Sequence, residues 1–125
     1  MSFGIKRFAL FAVWIGVAWL ALAGCHSERV ATKGPRPVLT ERAIRHIESR
    51  HVQLAMFPEK SKFRSGVDWK GLLFETYERA DTFQKEFDRT IYDYTAGRAV
   101  GSRGQTRTRL VTEEDGEVVT FYPRF

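Results

Sequence analysis

Apolar positions divide this chain into three regions of different rhythm. The first is unbroken: every residue from Phe8 to Ala23 is apolar or glycine, behind a basic head of Lys6 and Arg7. The second has helical spacing. Ile44, Ile47, His51 and Leu54 recur at intervals of three, four and three, which makes one face of a helix from Thr40 to about Met56. Thr40 suits the N-cap, Glu41 suits the positive first turn, and Pro58 limits the far end. On that helix His51 lies on the apolar stripe, with His46 roughly 140° away at 100° per residue. Asp68 can cap a second helix from Trp69 to about Arg79, with Trp69, Leu72, Leu73 and Tyr77 as its apolar side. Between the two helices, Glu59 to Gly66 reads as a basic loop or short strand. Asp81 to Asp88 fits neither template cleanly.

From Thr90 the rhythm changes to that of strands. Thr90–Tyr94 has the β-branched and aromatic content of a strand, and Gln105–Thr112 alternates. Asp115-Gly116 is a strong hairpin signal, and Glu117–Tyr122 returns. A two-residue turn at Asp115-Gly116 would oppose Arg109 to Tyr122, Val111 to Thr120 and Glu114 to Glu117. One face would then carry Arg109, Val111, Val118, Thr120 and Tyr122, and the other Leu110, Thr112, Val119 and Phe121. The like-charge pair of glutamates is the weak point, and a bulge would shift the pairing. Helices first and a hairpin-rich sheet after them predict an α+β domain, N-terminal helices packed on a C-terminal antiparallel sheet.

The leading apolar run spans 16 residues, short of the roughly 20 that cross a bilayer as a helix. A basic n-region, an apolar h-region and small residues before a cut describe a secretory signal. It closes on Leu22-Ala23-Gly24-Cys25, which looks like a bacterial lipobox. Cys25 would then be lipidated and become the first mature residue, and a plain transmembrane helix is the competing reading. Cys25 is the only cysteine, so it has no internal disulfide partner. His26 follows it in place of an aspartate, which by the same resemblance favours sorting to the outer membrane. The expected organisation is a signal peptide over 1–24, a lipidated tether over 25–38 with Gly34-Pro35-Arg36-Pro37, and a domain over 39–125. The expected location is the cell envelope, lipid-anchored in the outer membrane and facing the periplasm.

Beyond the signal, 18 basic residues face 15 acidic ones, a mild excess that says little by itself. Its distribution says more. Residues 40–64 hold six basic and three acidic side chains, and residues 98–109 hold four arginines and no acid. Residues 68–93 carry seven acids against four bases. Solvated faces account for such blocks, as does an anionic partner. No CxxC or HExxH motif is present, the dispersed glycines make no phosphate loop, and no cofactor is implied.

Three ordered blocks carry a resemblance. The first is His46-Ile47-Glu48-Ser49-Arg50-His51. The second is Lys60-Ser61-Lys62-Phe63, followed by Val67-Asp68-Trp69 and Leu72. The third is Tyr92-Asp93-Tyr94, Gly97-Arg98-Ala99-Val100-Gly101, Thr106 to Val111, and Gly116 to Pro123. Together they resemble the C-terminal toxin domains of bacterial contact-dependent inhibition and polymorphic toxin systems. Among these they are similar to the small ribonuclease domains, the barnase/EndoU/colicin-type and pancreatic-ribonuclease-like groups.

The resemblance implies metal-independent RNA cleavage, in which the ribose 2′-hydroxyl attacks the neighbouring phosphate. It implies His46 or His51 as the catalytic histidine, with Lys62, Arg109, Thr120 and Tyr122 as further catalytic residues. Lys60, Arg64 and Arg98 are implied phosphate ligands. The chain departs from EndoU-type sites in lacking a second histidine in a glycine-rich loop. The partners implied are the membrane, through the N-terminal lipid, then RNA, and a cognate immunity protein or an envelope protein. A non-catalytic envelope lipoprotein that uses the same fold as a binding module is the alternative.

Overall fold

A computed structural model of the chain describes residues 33–125. The signal peptide, Cys25 and His26 lie outside the described residues. Among the described residues no helix is long and apolar enough to cross a membrane. Lys33–Phe125 forms one compact unit, an α+β arrangement of two helices and a four-stranded antiparallel sheet.

Helix α1 covers Glu41–Ile47. Thr40 caps it, its side chain accepting from the Ala43 N–H at 3.2 Å, and Ala43 and Ile47 are buried. The expected continuation to Met56 does not form. Glu48–Val52 widens into a π turn, closed by the Gln53 N–H on the Glu48 carbonyl at 2.9 Å, and Gln53 is extended. The carbonyls that residues 54 and 55 would need for α-helical bonds are taken by other donors. Lys62 Nζ donates to the Arg50 carbonyl, and the Phe63 N–H to the His51 carbonyl at 2.7 Å. Leu54, the expected end of the apolar stripe, is therefore 71% exposed.

Helix α2 covers Trp69–Arg79, with the Asp68 carboxylate accepting from the Gly71 N–H. Trp69, Leu72, Leu73 and Thr76 are buried. Burying a leucine such as Leu73 contributes about 1.5–3 kcal/mol.

The strands are β1 (Thr82–Glu86), β2 (Arg89–Thr95), β3 (Arg107–Glu113) and β4 (Val118–Arg124), in spatial order β1-β2-β3-β4. The segment without a clear template is thus an edge strand. It alternates poorly because only Phe83 in it is even partly buried. Arg109 does oppose Tyr122, and Val111 opposes Thr120. A bulge at Val111/Thr112 then sets Thr112 opposite Val118. Val118 is thereby buried at the core and leaves the face on which it was expected. Glu113, not Glu114, meets Glu117, through an N–H···O bond of 2.8 Å, so the glutamate pair at 114 and 117 never forms.

Strand alternation separates two faces. Tyr92, Tyr94, Thr108, Leu110, Phe121 and Pro123 point to the core. There α2 covers them, with Thr76 Oγ1 2.7 Å from Thr108 Oγ1 and the Tyr77 and Tyr92 rings 5.3 Å apart. Helix α1 packs along β4. Asp93, Arg109, Tyr122 and Arg124 occupy the other face, only partly buried.

The described end of the expected tether is part of this unit. Lys33 Nζ donates to the Tyr77 and Glu78 carbonyls at 2.7 and 2.8 Å, satisfying acceptors at the C-terminus of α2. Gly34 donates to the Tyr92 hydroxyl and accepts from that of Tyr77. The Arg36 guanidinium stacks on Phe74, 4.8 Å from its centroid. Val38 bonds to Gly116 and Val118. Residues 33–38, expected as part of the tether, thus pack on this unit through partners that composition does not display.

Candidate active site

His51 is brought to the site by the π turn. It is buried, and its Nδ1 lies 2.7 Å from the Ser61 carbonyl. A carbonyl only accepts, so the ring proton sits on Nδ1 and Nε2 keeps its lone pair. The ring stacks on Tyr122 at 5.4 Å between centroids and 27° between planes. Burial holds the His51 pKa below the usual histidine value. The Ser61 carbonyl opposes that, and the charges of His46, Lys62 and Lys60 add to it. The imidazole is therefore neutral near pH 7, the form a general base needs.

The wider π turn also corrects the placement of His46. In a uniform α-helix the two histidines would diverge, but an i→i+5 turn uses more residues per revolution and narrows the angle between positions five apart. Their rings lie 6.4 Å apart, edge to face. Burial, followed by Arg50, Arg42 and Lys60, pushes the His46 pKa down as well. Even so, His46 opens onto a separate cavity of about 490 Å³ that it shares with Thr40, Arg42 and Glu117.

Tyr122 and Thr120 are two apart on β4 and share its outward face. Opposite Tyr122 stands Arg109, whose Nε and guanidinium N–H donate to the two Asp93 carboxylate oxygens at 2.8 and 2.9 Å. Arg124 approaches the same carboxylate at 3.4 Å. Burial alone would raise the Asp93 pKa. The Arg109 hydrogen bonds and the charges of Arg109, Arg124 and Arg107 outweigh it and hold the group below the usual carboxylate range. Asp93 in turn raises the Arg109 pKa, with a smaller contribution from Tyr122. Arg109 is thus a fixed, oriented cation beside the phenol.

The expected phosphate ligands separate. Lys60 lies near both histidines and lines a groove of about 460 Å³ with Lys62, Arg103, Tyr122 and Arg124. Lys62 borders it but is 5% exposed, with its ammonium donating to the Arg50 and Met56 carbonyls. It ties the loop to the π turn rather than presenting a free charge. Arg64 is exposed, held by its backbone N–H on the Val100 carbonyl. Arg98 pairs with Glu75 at 3.4 Å, on the helix that covers the opposite side of the sheet, and so does not join this group.

Sequence reasoning missed Asp93, the Ser61 carbonyl, Arg103 and Arg124. Asp93 had a signal available: an acid set between two tyrosines in a strand, whose antiparallel partner carries alternate arginines. The Ser61 carbonyl is a backbone group and leaves no trace in residue identity. Among the described residues no three histidine, cysteine or acidic side chains gather into a metal-binding group.

The arrangement gathers a neutral imidazole, a strand threonine and an oriented guanidinium about the Tyr122 phenol, and Tyr122 also lines the groove. It suits proton transfer beside an anion. No protein-family model, curated protein or solved structure matches the chain in comparison.

Proposed function

We propose that this chain is a lipid-anchored protein of the bacterial envelope whose domain is a ribonuclease of the polymorphic-toxin type, cleaving RNA without a metal. His51 Nε2 takes the proton of a ribose 2′-hydroxyl. The 2′-oxygen forms a bond to the adjacent phosphorus, the P–O5′ bond breaks, and the leaving 5′-oxygen takes a proton from the Tyr122 hydroxyl. The products are a 2′,3′-cyclic phosphate and a 5′-hydroxyl. Arg109 and the Thr120 hydroxyl stabilise the negative charge of the phosphorane, and Asp93 keeps Arg109 oriented. Cys25 carries the acyl chains, which place the domain on the periplasmic side of the outer membrane.

The observation that carries the proposal is the disposition of His51, its Nδ1 proton committed to Ser61 and its ring laid against Tyr122. A histidine serving only as core filler has no need of a fixed tautomer facing a phenol. The test is incubation of the full chain in detergent with total RNA and EDTA, beside His51→Ala and His46→Ala variants. Cleavage abolished by His51→Ala and retained by His46→Ala is expected. No cleavage by a folded chain would refute the catalytic assignment and leave the non-catalytic binding module.

A further inference from the structure

Building on the ribonuclease reading above, we infer that the groove beside Tyr122 takes a single-stranded RNA, with an unpaired nucleobase stacked on Phe125 and the sugar-phosphate backbone held by Lys60 and Arg103. Tyr122 lines the groove and is the residue it shares with the proposed catalytic group. Its volume, about 460 Å³, lies within the roughly 300–1,000 Å³ of small-ligand sites. Its lining has two characters. One part is charged, with Lys60, Arg103 and Arg124 outnumbering the single acid Glu59, and the other is apolar, from Leu54 and Phe125.

The cations differ in what they are free to do. Arg124 shares Asp93 with Arg109, and Lys62 is committed to backbone carbonyls. Lys60 and Arg103 are exposed, and their side chains meet no carboxylate among the described residues. Arg103 is nevertheless held in place, since its backbone N–H donates to Gln105 Oε1 at 2.8 Å. That bond depends on Gly101: a Cβ there would lie 2.1 Å from the same oxygen. The loop thus presents Arg103 from a fixed backbone.

The apolar side is unusual for a surface. Leu54 and Phe125 are 71% and 73% exposed, yet both border a charged groove. Cations that track a backbone, next to an aromatic ring open to solvent, are the elements of a single-strand binding site. A duplex cannot use the ring, because its bases are already stacked and paired.

The probe is a fluorescent, mixed-sequence decamer of 2′-O-methyl RNA, which lacks the attacking hydroxyl. Binding to the full chain in detergent is read by anisotropy, against the same strand annealed to its complement. The single strand is expected to bind more tightly than the duplex. Phe125→Ala weakens it by about 5- to 150-fold, and Phe125→Trp restores it. Lys60→Ala and Arg103→Ala each reduce the slope of log K against log salt by about 0.7. All these positions are exposed, so the variants fold. Equal affinity for strand and duplex, or unchanged binding by Phe125→Ala, would overturn the inference even where natural RNA is cleaved. Binding as described with no cleavage of natural RNA would uphold the groove and remove the catalytic assignment.

Discussion

Replacing Lys62 with methionine separates two roles that its position in the sequence does not. As a phosphate ligand it would be dispensable for folding. As placed here, its ammonium is buried and donates to the carbonyls of Arg50 and Met56, one at the π turn and one beyond it. Each hydrogen bond from a charged donor is worth about 1.5–3 kcal/mol, and removing the donor leaves both carbonyls without this partner. Methionine relieves the cost of desolvating the charge and fills much of the same volume, which offsets part of the loss. A net destabilisation of about 2–4 kcal/mol is expected. For a domain of this size, that lowers Tm by about 10–30 °C. Thermal unfolding followed by circular dichroism reads it directly. A secondary effect belongs to the same change: with the π turn loosened, the His51 Nδ1 bond to Ser61 weakens, since Ser61 is the residue before Lys62. An unchanged Tm together with lost RNA binding would refute the structural assignment and return Lys62 to the phosphate.

Tyr122→Phe keeps the ring stacked on His51 and removes only the hydroxyl. RNA cleavage is expected to fall by about 10²-fold or more with Tm unchanged, measured by product accumulation and thermal melting. His51 and His46 have pKa values depressed on folding, so the unfolded chain binds more protons as the pH falls. Stability is then complete above about pH 6.5 and declines as the pH drops through the lower folded values, and urea midpoints in His51→Asn should show a shallower decline. Asp93→Asn leaves Arg109 and Arg124 without their shared carboxylate and should cost about 1–3 kcal/mol in urea unfolding. Gly116→Ala must adopt a φ of +93° and place a Cβ 2.8 Å from the Arg36 carbonyl, and is expected to lower stability by about 1–3 kcal/mol in the same assay.

What the sequence displayed depended on whether the cause was local. Thr40 and Asp68 cap their helices because a short side chain reaches an N–H three residues on, and that geometry is inherent in the residue type. The facing of Arg109 and Tyr122 agrees with a two-residue turn at Asp115-Gly116 only because the bulge offsets the three-residue loop that joins Glu113 to Glu117. The end of the first helix was not legible, because Lys62 and Phe63 take its carbonyls from twelve residues away. The bulge at Val111/Thr112 is chosen by what Val118 buries, not by the turn. β1 was ambiguous because an edge strand with little buried surface has no pattern to show. For the site, the resemblance named His46 or His51, and the hairpin register set Tyr122 beside Arg109, but only the folded backbone distinguishes His51, held by Ser61, from His46, and commits Lys62 to carbonyls.

The strap from Lys33 to Val38 sets how far the domain can stray. With Cys25 as the lipid attachment proposed above, eight peptide units separate it from Lys33. At about 3.3–3.6 Å per residue the leash cannot exceed about 28 Å, where a tether running to Val38 would have allowed about 18 Å more. Under that proposal the domain is confined to a shallow shell above the bilayer. Any tension on the anchor enters at Lys33 and is borne first by two bonds to the end of α2. Val38 passes load on to Gly116 in the β3–β4 turn and to Val118, the first residue of the strand that holds Tyr122. The proposed anchor and the proposed catalytic residue Tyr122 are thus joined through a single strand, four residues from Val118 to Tyr122.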